Sequence, residues 1–443
     1  GAGMLQGGGT SAAANSVPPQ TASAAVVPTP ERDIGRHGLP DAIVQAYAEK
    51  GIKQLYDWQA ECLVQPGISE GRNLVYCAPT SGGKTIVSEI LMLRRVASLK
   101  KRAIFVLPYV SIVVEKMRYL QAICQRAQLN VKGFYGGSLD GIKEKFDIAV
   151  CTIEKANSLV NLLIEEGALA DTVCTLVVDE LHLVGDGSRG YLLEVTLSKV
   201  LFLAREAQIL AMSATLPNVE DIAHWLGAAL YRTDYRPVPL REFVLLNGQL
   251  LNADGSVERD LAQLPAAATA QQQGGAGGSD ATAAALVAAT WEVTRDGHSA
   301  LVFCSSKVKC ERAADLLAQR LPTAPGEEAQ QAARAMLVEE LKRQIGGGDA
   351  TLARTLLRGC AFHHSGLTSE ERSIIERGYR EGSVVVICAT STLAAGVNLP
   401  ARRVIFQTPY MGNAFLDATQ YRQMAGRAGR AGQGTLGESV VIA

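Results

Sequence analysis

Short runs of unbroken apolar residues alternate with longer amphipathic stretches along the chain, starting at about residue 34. The first five runs are "NLVYCAP", "AIFVLP", "DIAVCT", "TLVVDE" and "QILAMSA". A strand covered on both faces reads as a continuous apolar run, whereas a surface helix carries one apolar stripe, as in "KTIVSEILMLRRVASLK". Alternation of this kind predicts an α/β fold with a parallel sheet.

The alternation resumes in the C-terminal half with "ALVFCSS", "CAFHHS", "SVVVICATS", "RVIFQ" and "ESVVIA". Because 443 residues exceed one ordinary core, we expect two similar α/β domains, at 34–238 and 239–443. Stretches biased to Gly, Ala and Gln predict insertions in the second domain at about 253–284 and 322–349. Residues 1–33, rich in Gly, Ala, Ser and Pro, are predicted to be disordered.

Composition narrows the function classes. The 43 basic and 44 acidic residues nearly cancel, so a nucleic-acid site would have to be a local groove. The nine cysteines lie mostly within apolar runs and form no CxxC pair. This predicts buried, reduced thiols and an intracellular reducing compartment. No apolar run approaches the length of a membrane span, so we expect no membrane partner.

The stretch "APTSGGKT", residues 78–85, follows an apolar run and precedes a helical pattern. Strand, loop and helix in this order form a phosphate-binding loop, whose backbone N–H groups face the phosphates. Lys84 would supply positive charge at the β- and γ-phosphates, and the Thr85 hydroxyl would bind Mg²⁺. A glycine turn with a surface lysine is the alternative.

The stretch "LVVDELH" places Asp179 and Glu180 at the end of another apolar run, where α/β sheets bind ligands. Asp179 would hold Mg²⁺, directly or through water, and Glu180 would orient and deprotonate the attacking water. Adjacent acids at a strand end can also cap a helix. Their presence downstream of the phosphate loop favours the catalytic interpretation.

Phosphoryl transfer also needs positive charge on its transition state. "QMAGRAGR" offers Arg427 and Arg430, three residues apart and on one face if the segment is helical. Because both lie in the second domain, hydrolysis of ATP would require the domains to close. A solvated pair of arginines is the alternative.

These motifs occur together in an order that resembles the superfamily 2 helicases. "YDWQAECL", "LPYVSIVVEK", "CTIEKANSLVN", "MSATLPN", "VFCSSKVKCE", "FHHSGLT" and "ATSTLAAGVNLPARR" complete the set. Within the superfamily the chain resembles the Ski2-like branch, in particular helicases of the Hel308 and polymerase theta types. Ala at the first position of "APTSGGKT" is common in this superfamily.

The resemblance implies two tandem RecA-like domains with the ATP site in the cleft between them. It implies Gln59 as the adenine contact. The residues then expected to bind ATP are Gln59, Ala78, Pro79, Thr80, Ser81, Gly82, Gly83, Lys84, Thr85 and Gln423. Mg²⁺ would be held by Thr85 and Asp179, and Lys84, Asp179, Glu180, Arg427 and Arg430 would carry catalysis.

The resemblance further implies ATP-driven 3′-to-5′ movement on single-stranded or forked DNA, in DNA repair or replication-fork processing. Other repair proteins would be partners, and a chain of eukaryotic source would be nuclear. RNA-directed Ski2-like relatives share the machinery, so RNA is the second candidate. A non-catalytic nucleic-acid-binding scaffold is the third. Such helicases continue past "GRAGR" with further domains, whereas this sequence ends at Ala443, which predicts a truncated motor core.

A translocase grips phosphates with hydroxyls, amides and a few cations. Short polar clusters after the apolar runs supply these groups, although Ser and Thr there also cap helices. The predicted nucleic-acid contacts are Ser111, Thr152, Lys155, Ser305, Lys307, His364, Thr390 and Thr392.

Two further segments are assigned by the resemblance. Ser213 and Thr215, after the run "QILAM", would couple the ATP site to the DNA site, or merely cap a strand. Tyr410 and Phe415 flank a Gly-Asn turn and predict a strand-separating hairpin that stacks on a base pair. A packed surface loop is the alternative for this segment.

Overall fold

The computed structural model describes residues 31–137, 145–187, 189–214, 218–264, 278–323, 328–345, 349–391, 393, 397, 399–412, 414–429 and 436–443. Two large β-sheets organise this part of the chain, one in each half. We call the halves the N-terminal lobe, up to residue 232, and the C-terminal lobe, from residue 240; the irregular segment 233–239 lies between them.

The N-terminal lobe is built on seven parallel strands in the order β3-β4-β2-β5-β6-β1-β7. The strands are β1 Leu74–Cys77, β2 Arg102–Leu107, β3 Val131–Phe134, β4 Ile148–Thr152, β5 Val173–Val178, β6 Gln208–Ser213 and β7 Ala229–Arg232. Along β1, Leu74 and Tyr76 join one apolar cluster, whereas Val75 and Cys77 join another. Both faces of the sheet are therefore covered, which is why its inner strands read as unbroken apolar runs.

Helices cover both faces of this sheet. They are Asp41–Glu49, Asp57–Leu63, Thr85–Leu99, Val110–Cys124, Ile153–Glu165, Leu169–Thr172, Gly190–Leu203 and Val219–Trp225, with 3₁₀ turns at Ile34–His37, Gln125–Ala127 and Leu181–Gly185. In helix Ile153–Glu165 the buried residues include Ile153, Ala156, Val160 and Leu163. Their spacing of three and four residues places them on the one stripe that faces the sheet.

The C-terminal lobe has an eight-stranded sheet in the order β10-β9-β8-β17-β14-β11-β13-β12. Its strands are β8 Leu240–Leu246, β9 Gln249–Leu251, β10 Val257–Asp260, β11 Ala300–Phe303, β12 Cys360–His363, β13 Val386–Ala389, β14 Arg403–Phe406 and β17 Gly437–Ile442. The strands from β8 to β12 in this order pair in parallel, and β9 and β10 extend the edge in antiparallel fashion. A separate hairpin comprises β15 Tyr410–Met411 and β16 Ala414–Phe415.

The helices of this lobe are Gly278–Thr294, Lys307–Arg320, Glu328–Ile345, Ala350–Leu357, Ser369–Arg380 and Ala418–Ala425. Helix Ser369–Arg380 begins with a reciprocal cap. The Glu371 backbone N–H donates to the Thr368 hydroxyl at 3.2 Å, and the Thr368 backbone N–H donates to the Glu371 carboxylate at 2.7 Å. Such a cap satisfies two N–H groups that a helix start leaves open.

The α/β fold with a large parallel sheet in each half is confirmed. All ten apolar runs named above contain strands, whereas β3 and β7–β10 were not predicted. Those strands lie at or near sheet edges and mix polar with apolar positions, as in "LREFVLL" of β8, so they give no unbroken run.

Regular structure occurs within the predicted insertion at 253–284, which contains β10 and the start of helix Gly278–Thr294. Near the predicted start of the first domain, Asp33 bridges to Gln54.

All nine cysteines are buried in this fold, and none forms a disulfide bond. None of the helices in the described part of the chain is both long and apolar enough to cross a membrane.

Candidate functional site

The loop 78–84 turns sharply between β1 and helix Thr85–Leu99. Ser81 and Gly83 both have positive φ, at 66° and 82°, a conformation that non-glycine residues seldom adopt. A Cβ on Gly82 would lie 2.9 Å from the Pro79 carbonyl oxygen. The loop is therefore tightly wound, and the left-handed backbone of Ser81 is strain of a kind found at functional sites.

Lys84 occupies the centre of this loop. Its Nζ donates to the carbonyl oxygens of Ala78, at 3.0 Å, and Pro79, at 3.3 Å. The Lys84 carbonyl in turn accepts a bond from the buried Tyr76 hydroxyl at 2.9 Å. The ammonium thus lies over the hollow of the loop, where an incoming phosphate would exchange these carbonyls for anionic oxygens.

Gln59 ties a neighbouring helix to the same loop. Its Oε1 accepts the Tyr56 backbone N–H at 2.8 Å, and its Nε2 donates to the Gly83 carbonyl at 2.8 Å. Each amide atom retains capacity for one more bond. The Tyr56 ring lies 5.2 Å from the ring of Tyr235, centroid to centroid, in the segment between the lobes. This places an amide and two aromatic rings beside the loop.

Asp179 and Glu180 lie at the carboxyl end of β5, and only β6 separates this strand from β1. The Asp179 Oδ1 accepts the Glu180 backbone N–H at 2.9 Å. Burial, and then the neighbouring Glu180 charge, raise the pKa of Asp179 to about 6. The site is therefore short of positive charge, and a cation beside Asp179 would lower its pKa again.

Glu180 itself is held in a left-handed conformation, with φ 56° and ψ 50°. Its Oε2 lies 3.3 Å from His182 Nδ1, which is also 3.4 Å from the Ser213 hydroxyl. Burial, and then the positive charge of Lys84, lower the pKa of His182, so it is neutral at pH 7. Ser213 also accepts the Ala78 N–H through its carbonyl, at 3.3 Å, and so links the two strand ends.

The two lobes meet at this loop. The Ser81 hydroxyl donates to the Gly426 carbonyl at 3.1 Å, and a Cβ on Gly426 would lie only 2.6 Å from the Thr80 Cβ. Arg236, in the segment between the lobes, donates to the Ala428 carbonyl at 2.9 Å. The phosphate loop of one lobe therefore touches "GRAG" of the other directly.

Arg427 and Gln423 lie on the C-terminal side of this contact. Arg427 donates to the Val397 carbonyl at 2.5 Å, which ties two segments of its own lobe together. Gln423 is half-buried on helix Ala418–Ala425. Arg430, like Thr215 and Thr392, lies outside the described residues.

The remaining predicted nucleic-acid contacts follow the carboxyl ends of neighbouring strands. Ser111 follows β2, and Thr152 ends the adjacent β4, with Lys155 in the next helical turn. Ser305 and Lys307 follow β11, and Thr390 follows the adjacent β13. Ser111 and Lys307 are exposed, whereas Thr152 is buried. Each sheet thus gathers its candidates along one edge.

His364 differs from the others because both of its ring nitrogens are engaged within the lobe. Nδ1 accepts the Gly366 N–H at 3.2 Å, so Nε2 carries the proton and donates to Glu311 at 3.1 Å. The ring stacks on Phe362 at 5.4 Å and is only 4% exposed. These bonds tie the end of β12 to helix Lys307–Arg320, which is a structural role.

The predicted hairpin is present. Tyr410 and Phe415 face each other across β15 and β16, with ring centroids 5.5 Å apart and nearly perpendicular. They are 52% and 69% exposed. Exposed aromatic rings on a hairpin are available to stack on another flat group.

Sequence reasoning missed the roles of Tyr235 and Arg236 beside the loop. They lie in an irregular segment between lobes, and their partners Tyr56 and Ala428 are remote in sequence. No periodic pattern or motif marks them; only the position between the two domains would have suggested contact with both.

Comparison with known proteins extends this picture. Residues 57–222 match the DEAD/DEAH box helicase model, and residues 328–432 match the helicase conserved C-terminal domain. The chain is 43% identical to DNA polymerase theta of Mus musculus over 91% of its own length, but only 16% of that protein's. It is 42% identical to the Homo sapiens helicase POLQ-like over 94% of this chain and 38% of the relative.

A third relative is the ATP-dependent DNA helicase Hel308 of Pyrobaculum calidifontis. It is 34% identical over 91% of this chain and 54% of its own length. The chain therefore spans about half, or less, of the length of these relatives.

Proposed function

We propose, from the premise that the chain belongs to the Ski2-like branch of the superfamily 2 helicases, that it is an ATP-driven motor acting on DNA. The observation that carries this proposal is the contact between Ser81 and Gly426, because it joins the phosphate loop to the arginine-bearing segment of the other lobe. ATP hydrolysed at this contact changes the relation of the lobes, and each lobe grips the nucleic acid along its own strand ends.

Each ATP-site residue has a task that its position supports. Lys84 leaves the Ala78 and Pro79 carbonyls for the β- and γ-phosphates, while loop N–H groups hold the remaining oxygens. Gln59 offers its remaining amide capacity to the adenine edge. Glu180, oriented by its left-handed backbone and by His182, accepts the proton of the attacking water. Arg427 and Arg430 stabilise the negative charge that develops on the transferred phosphoryl group.

The donor set beside Asp179 fits Mg²⁺. Thr85 supplies a hydroxyl and Asp179 a carboxylate whose pKa is raised by burial and by the Glu180 charge, and Mg²⁺ prefers oxygen ligands of this kind. Bound there, the ion would neutralise phosphate charge. Asp179 and Thr85 would hold it, with Lys84 on the phosphate side.

DNA is the favoured track because the relatives include DNA polymerase theta and an ATP-dependent DNA helicase. Ser111, Thr152, Lys155, Ser305, Lys307 and Thr390 grip successive phosphates, with Thr392 completing the set. Movement is 3′ to 5′ on single-stranded or forked DNA, and Tyr410 and Phe415 separate strands at the junction. Ser213 and Thr215 couple the two sites.

We place the motor in repair or replication-fork processing, alongside other repair proteins and in the nucleus of a eukaryotic cell. The nuclear location and the repair role rest on the family resemblance alone. RNA remains the second candidate track, since residues that grip phosphates do not by themselves discriminate between the two sugars.

The test uses two variants with different defects. Lys84→Ala removes the phosphate charge and should abolish ATP binding together with hydrolysis. Glu180→Gln keeps the shape of the site and should bind ATP but not hydrolyse it. Nucleotide affinity by fluorescent-analogue titration and phosphate release by a coupled assay separate these outcomes. Full hydrolysis by either variant would rule out the proposed site, whereas absence of hydrolysis in the wild type would favour a non-catalytic scaffold.

A further inference from the structure

One arginine outside the motifs used above connects the nucleic-acid side of the N-terminal lobe to its ATP side. Arg189 lies just before helix Gly190–Leu203. Its Nε donates to the Glu154 carboxylate at 2.8 Å, and its guanidinium carbon lies 5.6 Å from the centre of the Tyr109 ring. The contact with Glu154 is a charge-assisted hydrogen bond, and the contact with Tyr109 is a cation–π interaction.

Both partners belong to segments that the proposed function assigns to the track. Tyr109 lies two residues before Ser111, after β2, and Glu154 lies between Thr152 and Lys155, after β4. Burial alone would raise the pKa of Glu154, but hydrogen bonds, first among them that from Arg189, hold it below its ordinary value. Arg189 therefore links two adjacent strand ends that would both move or stiffen when a strand is gripped.

On its other side, Arg189 is joined to Glu180 by a chain of short-range hydrogen bonds. The Leu183 N–H donates to the Glu180 carbonyl at 3.0 Å, and the Asp186 N–H to the Leu183 carbonyl at 2.9 Å. The Asp186 carboxylate then accepts the Arg189 N–H at 3.1 Å. The residues described between Glu180 and Arg189 thus form a compact turn.

Gly190 shows how tightly this turn is packed. Its N–H donates to the Asp186 carbonyl at 2.9 Å. A Cβ at Gly190 would overlap the Val184 carbonyl and lie 2.8 Å from the Leu183 carbonyl oxygen. Because the turn is so closely packed, a displacement of Arg189 would also displace the turn and Glu180 at its start.

We propose that Arg189 is a positioning residue through which occupancy of the track by DNA sets the orientation of Glu180. The inference rests on the proposed function. Arg189 touches neither ATP nor the reacting water. It holds Tyr109 and Glu154 in a fixed position relative to the turn that begins at Glu180. DNA bound along the track therefore constrains this turn, and without DNA the turn is less constrained. DNA would then accelerate hydrolysis through this contact.

The experiment compares ATP hydrolysis at saturating ATP, with and without saturating oligo(dT), in the wild type and Arg189→Ala. The dissociation constant of the same oligonucleotide is measured by anisotropy. We expect the ratio of stimulated to unstimulated rate to fall about tenfold in Arg189→Ala, with a much smaller change in DNA affinity. Arg126→Ala is the matched control: Arg126 makes an ion pair with Glu49, at 2.6 Å, on the same lobe, but contacts no motif.

A second variant distinguishes coupling from general damage. Glu154→Gln weakens the same contact from the other side, and the double variant should be no worse than Arg189→Ala alone, because the residues act as a unit. An additive loss in the double variant would contradict the inference. A stimulation ratio in Arg189→Ala equal to that of wild type would overturn it, as would a loss fully accounted for by weaker DNA binding.

Failure of the inference is distinct from failure of the proposed function. If DNA does not stimulate the wild type at all, both are wrong. If DNA stimulates the wild type and Arg189→Ala equally, only the role of Arg189 is wrong.

Discussion

The Ser81 hydroxyl and the Gly426 carbonyl, 345 residues apart in sequence, share a hydrogen bond of 3.1 Å. This bond brings the arginine-bearing segment of the C-terminal lobe onto the phosphate loop of the N-terminal lobe. The proposed chemistry and the proposed motion meet at this point, because the proposed mechanism draws its catalytic groups from both lobes.

Gly426→Ala tests the importance of that contact. An added Cβ would lie 2.6 Å from the Thr80 Cβ and 2.8 Å from the Arg422 carbonyl oxygen, so the segment must shift. Misplacement on this scale should lower kcat for ATP hydrolysis by about tenfold or more, with a smaller effect on ATP affinity, since Lys84 is untouched. Gly137→Ala, where a Cβ meets nothing within 4 Å, should behave as wild type. Equal rates for the two variants would show that the contact is dispensable.

Asp179→Asn should make the nucleotide-free protein more stable while removing its activity. The raised pKa of Asp179, about 6, means that the folded state disfavours the charged form. An unfolded aspartate titrates near 4, so the penalty grows as pH rises from about 4 to about 6 and is complete above that. At pH 7.5 without Mg²⁺ we expect Asp179→Asn to raise the free energy of unfolding by about 1–2 kcal/mol.

The same variant carries its own control. The free energy of unfolding, measured with denaturant, should exceed that of the wild type by less at pH 5. The difference should vanish near pH 4, where the wild-type carboxyl is protonated in the folded state. A stability difference that stays constant across this range would show that it does not arise from ionisation of Asp179.

The aromatic hairpin should matter for strand separation and little for folding. Tyr410→Ala and Phe415→Ala remove exposed rings, so the free energy of unfolding should change by less than about 0.5 kcal/mol. Release of a labelled strand from forked DNA should fall far more than DNA-stimulated ATP hydrolysis does. Phe202, 65% exposed on the N-terminal lobe, gives a matched control as Phe202→Ala. Unwinding retained in both hairpin variants would argue for a packed surface loop instead.

Variants of Lys307 and His364 should distinguish a residue that binds nucleic acid from one that stabilises the fold. Lys307 is exposed, whereas His364 is buried and bonded through both ring nitrogens. Lys307→Ala should weaken binding of single-stranded DNA. It should also reduce the salt dependence of the affinity by the amount that roughly one phosphate contact contributes. His364→Ala should instead cost about 1–3 kcal/mol of stability. A larger loss of DNA affinity in His364→Ala than in Lys307→Ala would restore His364 to the track.

The elements around the ATP site could be predicted because their signals are local. "APTSGGKT" carries its own turn residues and follows a doubly covered strand, and Asp179 and Glu180 end another. Their proximity follows from the rule that parallel strands present their carboxyl ends at one edge.

The features that the sequence did not predict depend on contacts between segments that are far apart along the chain. The engagement of His364 by Glu311 and Gly366 needs the packing of a helix against β12. The contacts of Arg189 with Tyr109 and Glu154 need β2 and β4 side by side. Strands at or near the sheet edges, such as β8, also escaped prediction, because their exposed positions interrupt the apolar run.

Whether the chain is an ATP-driven motor acting on DNA is tested most directly by the steady-state rate of ATP hydrolysis by the wild-type chain under four parallel conditions. These are no nucleic acid, single-stranded DNA, forked DNA and RNA of matched length. We expect a low rate of ATP hydrolysis without nucleic acid, a clear rise with both DNA substrates, and a smaller rise with RNA. A rate that no nucleic acid changes, or no hydrolysis at all, would contradict it.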